Sequence, residues 1–331
     1  YCPLRLKKSC SVMLKNVWLL GGCGFVGTWI ANRLSQMGAR VTIPTRRRER
    51  NKANIMLPTV EVVEANINEE ATLVELMRGQ DAVINLVGIL HDHDSQLPYG
   101  KRFGAAHADL PKKIVAAMKT AGVRRLVHMS ALGADANGCS EYLRSKGEGE
   151  AAVMAAAKDL DVTVFCPSVI FGIGDNFLNT FATILKLAPV FAAGGLTARF
   201  QPVYVGNVAD AFVSCIEDVK TFGQRYELCG PKVYTLRELV EYVGEVSGNK
   251  RPVYQLNDFW AYLQAGLLWL LPNPPMSPDN LRSMDVDNVA SADGQVYPGW
   301  NPAALEAIAP TYLGKVAPKS KLDAFRYHAG R

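Results

Sequence analysis

Tyr142 and Lys146 have the residue types and the spacing for proton chemistry. Positions four apart share a helix face, so this phenol and ammonium can address one bound molecule together. A free tyrosine titrates near ~10 and exchanges protons poorly at neutral pH, and a neighbouring cation lowers that value. Tyr142 is therefore expected to pass a proton to or from a substrate oxygen, with Lys146 tuning the phenol. Ser130 stands twelve positions before Tyr142, at the end of the apolar run from Arg125 to Met129, where it could hold a substrate carbonyl.

Alone, Tyr-x-x-x-Lys is a common accident, and its meaning depends on what positions it. The stretch Val17 to Gly27 reads as a buried strand that turns sharply into a helix, because Val26, Ile30, Leu34 and Met37 then recur at helical spacing and Gly38 can cap the end. Gly21, Gly24 and Gly27 let the backbone turn and approach a pyrophosphate, and the first-turn N–H groups, at Phe25 and Val26, point at negative charge. Lys146 would then also bond the nicotinamide ribose. The second strand, Arg40 to Ile43, runs into Pro44-Thr45-Arg46-Arg47-Arg48 with no acid before Glu49. That favours NADP(H), with Arg46 the first candidate for the 2′-phosphate and Arg47 the next, and leaves NAD(H) open. A third strand, Val60 to Ile67, brings Asn66 and Ile67 toward the adenine. A fourth, Asp81 to Gly88, ends where Val87 and Gly88 can pack against the cofactor. Alternating strands and helices predict an α/β protein with a Rossmann-like doubly wound parallel sheet and a smaller C-terminal substrate lobe.

Several motifs run in the order of a known group: Gly21-x-x-Gly24-x-x-Gly27, Ser130 to Ala134, Tyr142 to Glu150, Pro167 to Gly172, Gln201 to Val205, Asn207 to Ala211 and Pro272 to Ser277. In these the chain resembles the atypical and extended short-chain dehydrogenase/reductases of NAD-dependent epimerase/dehydratase type. Within them it resembles the nucleotide-binding accessory subunit of mitochondrial complex I and its bacterial relatives. The resemblance covers about residues 14–315 and implies bound NADPH, Pro167 as a further cofactor contact, and a small-molecule substrate, quinone-like among the candidates. It also implies association with a respiratory complex, in the bacterial cytoplasm or on the mitochondrial matrix side, with peripheral contact at the inner membrane. Two departures bear on chemistry. Ala131 and Leu132 follow Ser130 where sugar-nucleotide epimerases and dehydratases carry Ser or Thr, and Cys166-Pro167 replaces their Arg-Pro. The alternatives are thus a sugar-nucleotide enzyme and a non-catalytic subunit stabilised by its nucleotide.

The expected domains are a leader at 1–13, a dinucleotide-binding unit at 14–166, a substrate lobe at 167–315 with elements returning to the first unit, and a basic tail at 316–331. Net charge is +5, from 36 Lys and Arg against 31 Asp and Glu, which calls for no nucleic acid. The cluster Arg46-Arg47-Arg48, Arg50 and Lys52 and the tail read first as solvated charge and second as contacts for an anionic membrane. Seven scattered cysteines without a Cys-x-x-Cys pair indicate neither a disulfide framework nor a zinc site. His91-Asp92-His93-Asp94 reads as a polar loop, since adjacent residues seldom converge on one ion, and no metal is expected. Phe259 to Leu271 is apolar nearly all round and too short to span a bilayer. A core or subunit-contact helix is its first reading; an interfacial helix or an entry for a lipophilic substrate is its second.

Overall fold

Short apolar runs rich in β-branched residues become parallel strands when helices cover both their faces. In the computed structural model, which describes residues 15–48, 52–94, 96–271 and 274–314, six such runs open the chain. They are β1 (Asn16–Leu20), β2 (Arg40–Thr45), β3 (Val60–Glu64), β4 (Ala82–Asn85), β5 (Arg125–Met129) and β6 (Asp161–Pro167). With the later strand Gln224–Leu228 they form one parallel sheet of seven, in the order Gln224–Leu228, β6, β5, β4, β1, β2, β3. The leader, Arg50, the basic tail and Pro272-Asn273 lie outside the described residues.

Successive β1 side chains enter opposite layers, as the period of two requires. Val17 and Leu19 pack with Ile30, Leu34, Val208 and Phe212, from α1 (Phe25–Gln36) and the helix Val205–Ser214. Trp18 and Leu20 pack with Leu73, Ile114, Met118 and Val153, from the helices Glu70–Met77, Leu110–Ala121 and Glu141–Ala155. Val17, Trp18, Leu19 and Leu20 are completely buried. Chain order reverses between β1 and β4, where Leu20 lies in register with Asn85. That reversal opens the crevice in which such sheets take ligands.

Beyond Pro167, the helices Phe177–Leu187 and Leu236–Val246 share a separate core with Phe171, Phe200 and Leu305. The second of these helices starts on a capping box between Thr235 and Glu238.

Four local expectations are corrected. Met37 is 65% exposed, because α1 ends at Gln36 and Met37 is its cap rather than an inward position. β3 stops at Glu64, and Asn66 opens a turn. Residues Ala105 to Ala121, where Leu110, Ile114, Ala117 and Met118 share one face and Gly122 follows, predict a single helix, but it begins as a π turn, Gly104–Asp109, before the α-helix Leu110–Ala121. Pro111 has no N–H to close an ordinary turn on His107, and the freed His107 carbonyl is crossed closely by Gly149. The apolar stretch forms the helix Asp258–Leu268, but only Ala261 and Ala265 are buried, so it is no core helix. No helix of the described residues is long and apolar enough to cross a membrane.

Candidate functional site

The glycine corner follows from contacts that exclude side chains. Gly21 adopts φ +75°, a left-handed conformation, beside Leu86 and Val87, and Gly24 N–H donates to Gly21 O at 3.0 Å. A Cβ on Gly27 would lie 2.5 Å from the Gly22 Cα and closer still to Gly21 O. The side chain of Asn54, almost fully buried, donates to Gly22 O at 3.0 Å and ties the corner from outside. The start of α1 has no capping side chain and no acid in its first turn, so the N–H groups of Phe25, Val26 and Gly27 are left for an anion. These features fit a dinucleotide pyrophosphate.

Around the corner, Arg46 and Arg47 are exposed just past β2, whereas Arg48 turns back and donates from Nε to Val62 O at 3.1 Å. The Asn66 amide donates to Glu69 at 2.7 Å and accepts from Asn68 N–H at 3.2 Å. Asn66 is thus engaged locally, with one amide hydrogen left for a base edge. Ile67 packs against the core under that turn. Val87 N–H donates to Asn85 Oδ1 at 3.1 Å, and Pro167 is buried at the end of β6 with its carbonyl accepting from Leu132 N–H.

Tyr142 and Lys146 stand on the helix Glu141–Ala155, capped by the Ser140 hydroxyl and by Asp279, which accepts from Glu141 N–H at 2.8 Å and Tyr142 N–H at 3.1 Å. Lys146 is 6% exposed, and its ammonium donates to Met129 O at 3.2 Å. The same Nζ lies 3.2 Å from where a Gly88 Cβ would be, so glycine is what admits it at the end of β4. Burial lowers the Lys146 pKa to about 8, against the opposing pull of Cys166 and Glu150. The expected lowering of the phenol is not found: burial raises Tyr142 to about 12. Lys146 is directed at a carbonyl and at Gly88, and desolvation of the phenolate prevails.

His107, Ser145, Asn54 and Asp279 were not assigned these roles from the sequence. His107 Nε2 accepts from Ile89 N–H at 3.0 Å, which leaves the ring proton on Nδ1, facing Ser145 Oγ at 2.8 Å. Ser145 in turn donates to Tyr142 O at 2.9 Å, and the imidazole meets the Tyr142 ring edge-on at 5.5 Å. Burial, then the Lys146 charge, lowers His107 to about 2, so it stays neutral. The signal available in the sequence was a histidine four residues before Pro111. Ser130 is buried, with N–H on Phe165 O and an Oγ without a hydrogen-bond partner among the described residues. Asp92 is a loop anchor, accepting from Phe103 N–H and Asp94 N–H, while His91 and His93 pack on Trp269. Among the described residues no group of three or more His, Cys, Asp or Glu could hold a metal.

A buried lysine held near pKa 8 is a stability cost. Its folded value lies below the unfolded ~10.4, so stability rises with pH between the two and the penalty is complete below about 8. Lys146→Met should therefore stabilise the apo protein by about 3 kcal/mol at pH 7 and flatten the rise between pH 8 and 10. Urea melts against pH test this, and an unchanged rise in the variant contradicts it.

These features define a class. The chain matches the sequence profile of the NAD dependent epimerase/dehydratase family over residues 17–229 and belongs to that family. It is 28% identical over 306 residues to the mitochondrial NADH-ubiquinone oxidoreductase 40 kDa subunit of Neurospora crassa, covering 89% of this chain and 78% of that one. It is 29% identical over 297 residues to the mitochondrial NADH dehydrogenase [ubiquinone] 1 alpha subcomplex subunit 9 of Mus musculus, covering 87% and 77%. Among solved structures, the Bordetella bronchiseptica enzyme WbmF in complex with NAD+ superposes with TM-score 0.67 at 19% identity over 95% of each chain, a likeness of fold.

Proposed function

We propose that this chain binds a nicotinamide dinucleotide, NADP(H) ahead of NAD(H), and serves as an oxidoreductase site linked to quinone or respiratory-chain metabolism. The supporting observation is one continuous path at the switch point: the bare start of α1, the Gly21 contact with Val87, and Gly88 over the buried Lys146 ammonium. The bound nicotinamide would supply or take up a hydride. Lys146, charged at pH 7 with a pKa of about 8, addresses the ribose hydroxyls. Tyr142, at about 12, is protonated at neutral pH and so donates to a substrate oxygen in the reducing direction. The relatives named as complex I subunits support the respiratory setting.

A second reading, a nucleotide-holding subunit without turnover, is favoured by the raised phenol and by Ala131 and Leu132 beside a buried Ser130. Purified protein given NADPH with a quinone or carbonyl separates the two, and conversion of UDP-sugars points instead to a sugar-nucleotide enzyme. Steady oxidation that Tyr142→Phe slows by about a hundredfold supports the first reading. Tightly held, inert NADPH supports the second. Arg46→Ala should weaken NADPH binding about tenfold and leave NADH binding unchanged, the loss of one guanidinium–phosphate contact. Equal wild-type affinity for NADPH and NADH defeats the cofactor assignment.

A further inference from the structure

The helix Asp258–Leu268 is attached by its small side. Ala261 and Ala265 are buried, and Ala261 Cβ lies 2.5 Å from where a Gly194 side chain would begin. The large side chains face away. Phe259, Trp260, Leu263 and Leu267 fall within about 100° around the axis at 3.6 residues per turn, and they are 70, 54, 44 and 62% exposed. Leu270 continues the face at 80%, and residues 259–271 contain no charged side chain. Contiguous apolar surface of this kind marks a contact with something other than water.

The surroundings say what that something is. The strand Val253–Gln255 pairs with Phe191–Ala193, and Gln264 donates to Ala192 O, which sets exposed Tyr254, Val190 and Leu187 alongside the helix. Exposed Lys186, Lys250 and Arg251 border these residues, with Arg251 Nε fixed on Leu185 O. Among the described residues neither Lys186 nor Lys250 is in an ion pair. The helix itself carries one acid, Asp258, in its first turn. Aromatic rings among aliphatic side chains, on a helix too short to span and bordered by cations, match the boundary between headgroups and acyl chains. An isologous pair of this chain would bring two such basic borders into one interface.

We infer that this face docks in the plane of an anionic bilayer surface. Trp269, at the end of the helix, packs on His93 with ring centroids 4.1 Å apart and tilted by 34°, and meets His91 edge-on at 5.7 Å, in the loop that follows β4. The inference rests on surface chemistry and is independent of any role for Tyr142.

The test is flotation of the full chain with vesicles of phosphatidylcholine alone or with about 30% phosphatidylglycerol, an ordinary anionic fraction. The expected result is binding to the anionic vesicles about tenfold above the neutral ones, weakened by salt, with a blue shift of tryptophan emission. Trp260→Glu with Leu267→Glu should reduce it at least about tenfold. Their side chains are exposed, so thermal melts should match wild type; Leu267→Ser alone serves if the double variant does not fold. Lys186→Glu with Lys250→Glu should abolish the preference for anionic vesicles. Flotation at background, or undiminished binding by the Trp260 and Leu267 variants, overturns the inference. So does a dimer in sedimentation that these variants dissociate while vesicles bind nothing, which gives the face to a second copy.

Discussion

Gly27→Ala is expected to destroy nicotinamide-nucleotide binding and to lower stability by about 3 kcal/mol, the upper range for overpacking. The added Cβ meets backbone on two sides, Gly21 O and the Gly22 Cα, and backbone cannot rotate away as a side-chain end can. Relief requires α1 to move off the corner, which carries the N–H groups of Phe25 and Val26 out of aim. Gly38→Ala is the control. Its φ of +80° makes alanine strained, but nothing lies within 4 Å of the new carbon, so it should cost about 1 kcal/mol and leave binding intact. Urea melts and NADPH titration of both variants decide the matter. Wild-type affinity in Gly27→Ala would remove the corner from the binding site.

Acid is expected to unfold the protein steeply, well above the pH at which carboxylates titrate. His107 and His128 are both buried and neutral, lowered to about 2 and about 3 by desolvation and the Lys146 charge. His128 Nδ1 accepts from Asn85 Nδ2 at 3.1 Å, so protonation there also sets two donors against each other. The unfolded chain binds protons at both from pH ~6.5 downward and the folded chain does not. The histidine contribution to stability is then complete above about 6.5 and falls by about 3 kcal/mol per pH unit toward the folded values. His128→Asn, which keeps an acceptor for Asn85, should roughly halve that slope. A urea midpoint that stays level between pH 7 and 5 would falsify the neutral-histidine account.

The two histidines also show how legible the site was. Tyr142, Lys146 and the three glycines stood out as candidates because their signals are local: a helical spacing and a turn that only glycine can make. His107 gave no such signal, since its role depends on Ile89 N–H and on Ser145, 18 and 38 residues away. The phenol was misjudged for the same reason. Sequence spacing brings an ammonium to the same helix face, but the Met129 carbonyl and the gap at Gly88 decide where that ammonium points.

What the sequence determined by itself was the alternation of strand and helix, the glycine corner, and a doubly wound parallel sheet, because each follows from periodicity and backbone stereochemistry within a few residues. Tertiary structure alone decided the direction of every pKa shift. It also turned the Phe259 to Leu271 stretch outward, since a helix apolar on all sides has no preferred inner face and Ala261 and Ala265 were the residues small enough to approach the lobe.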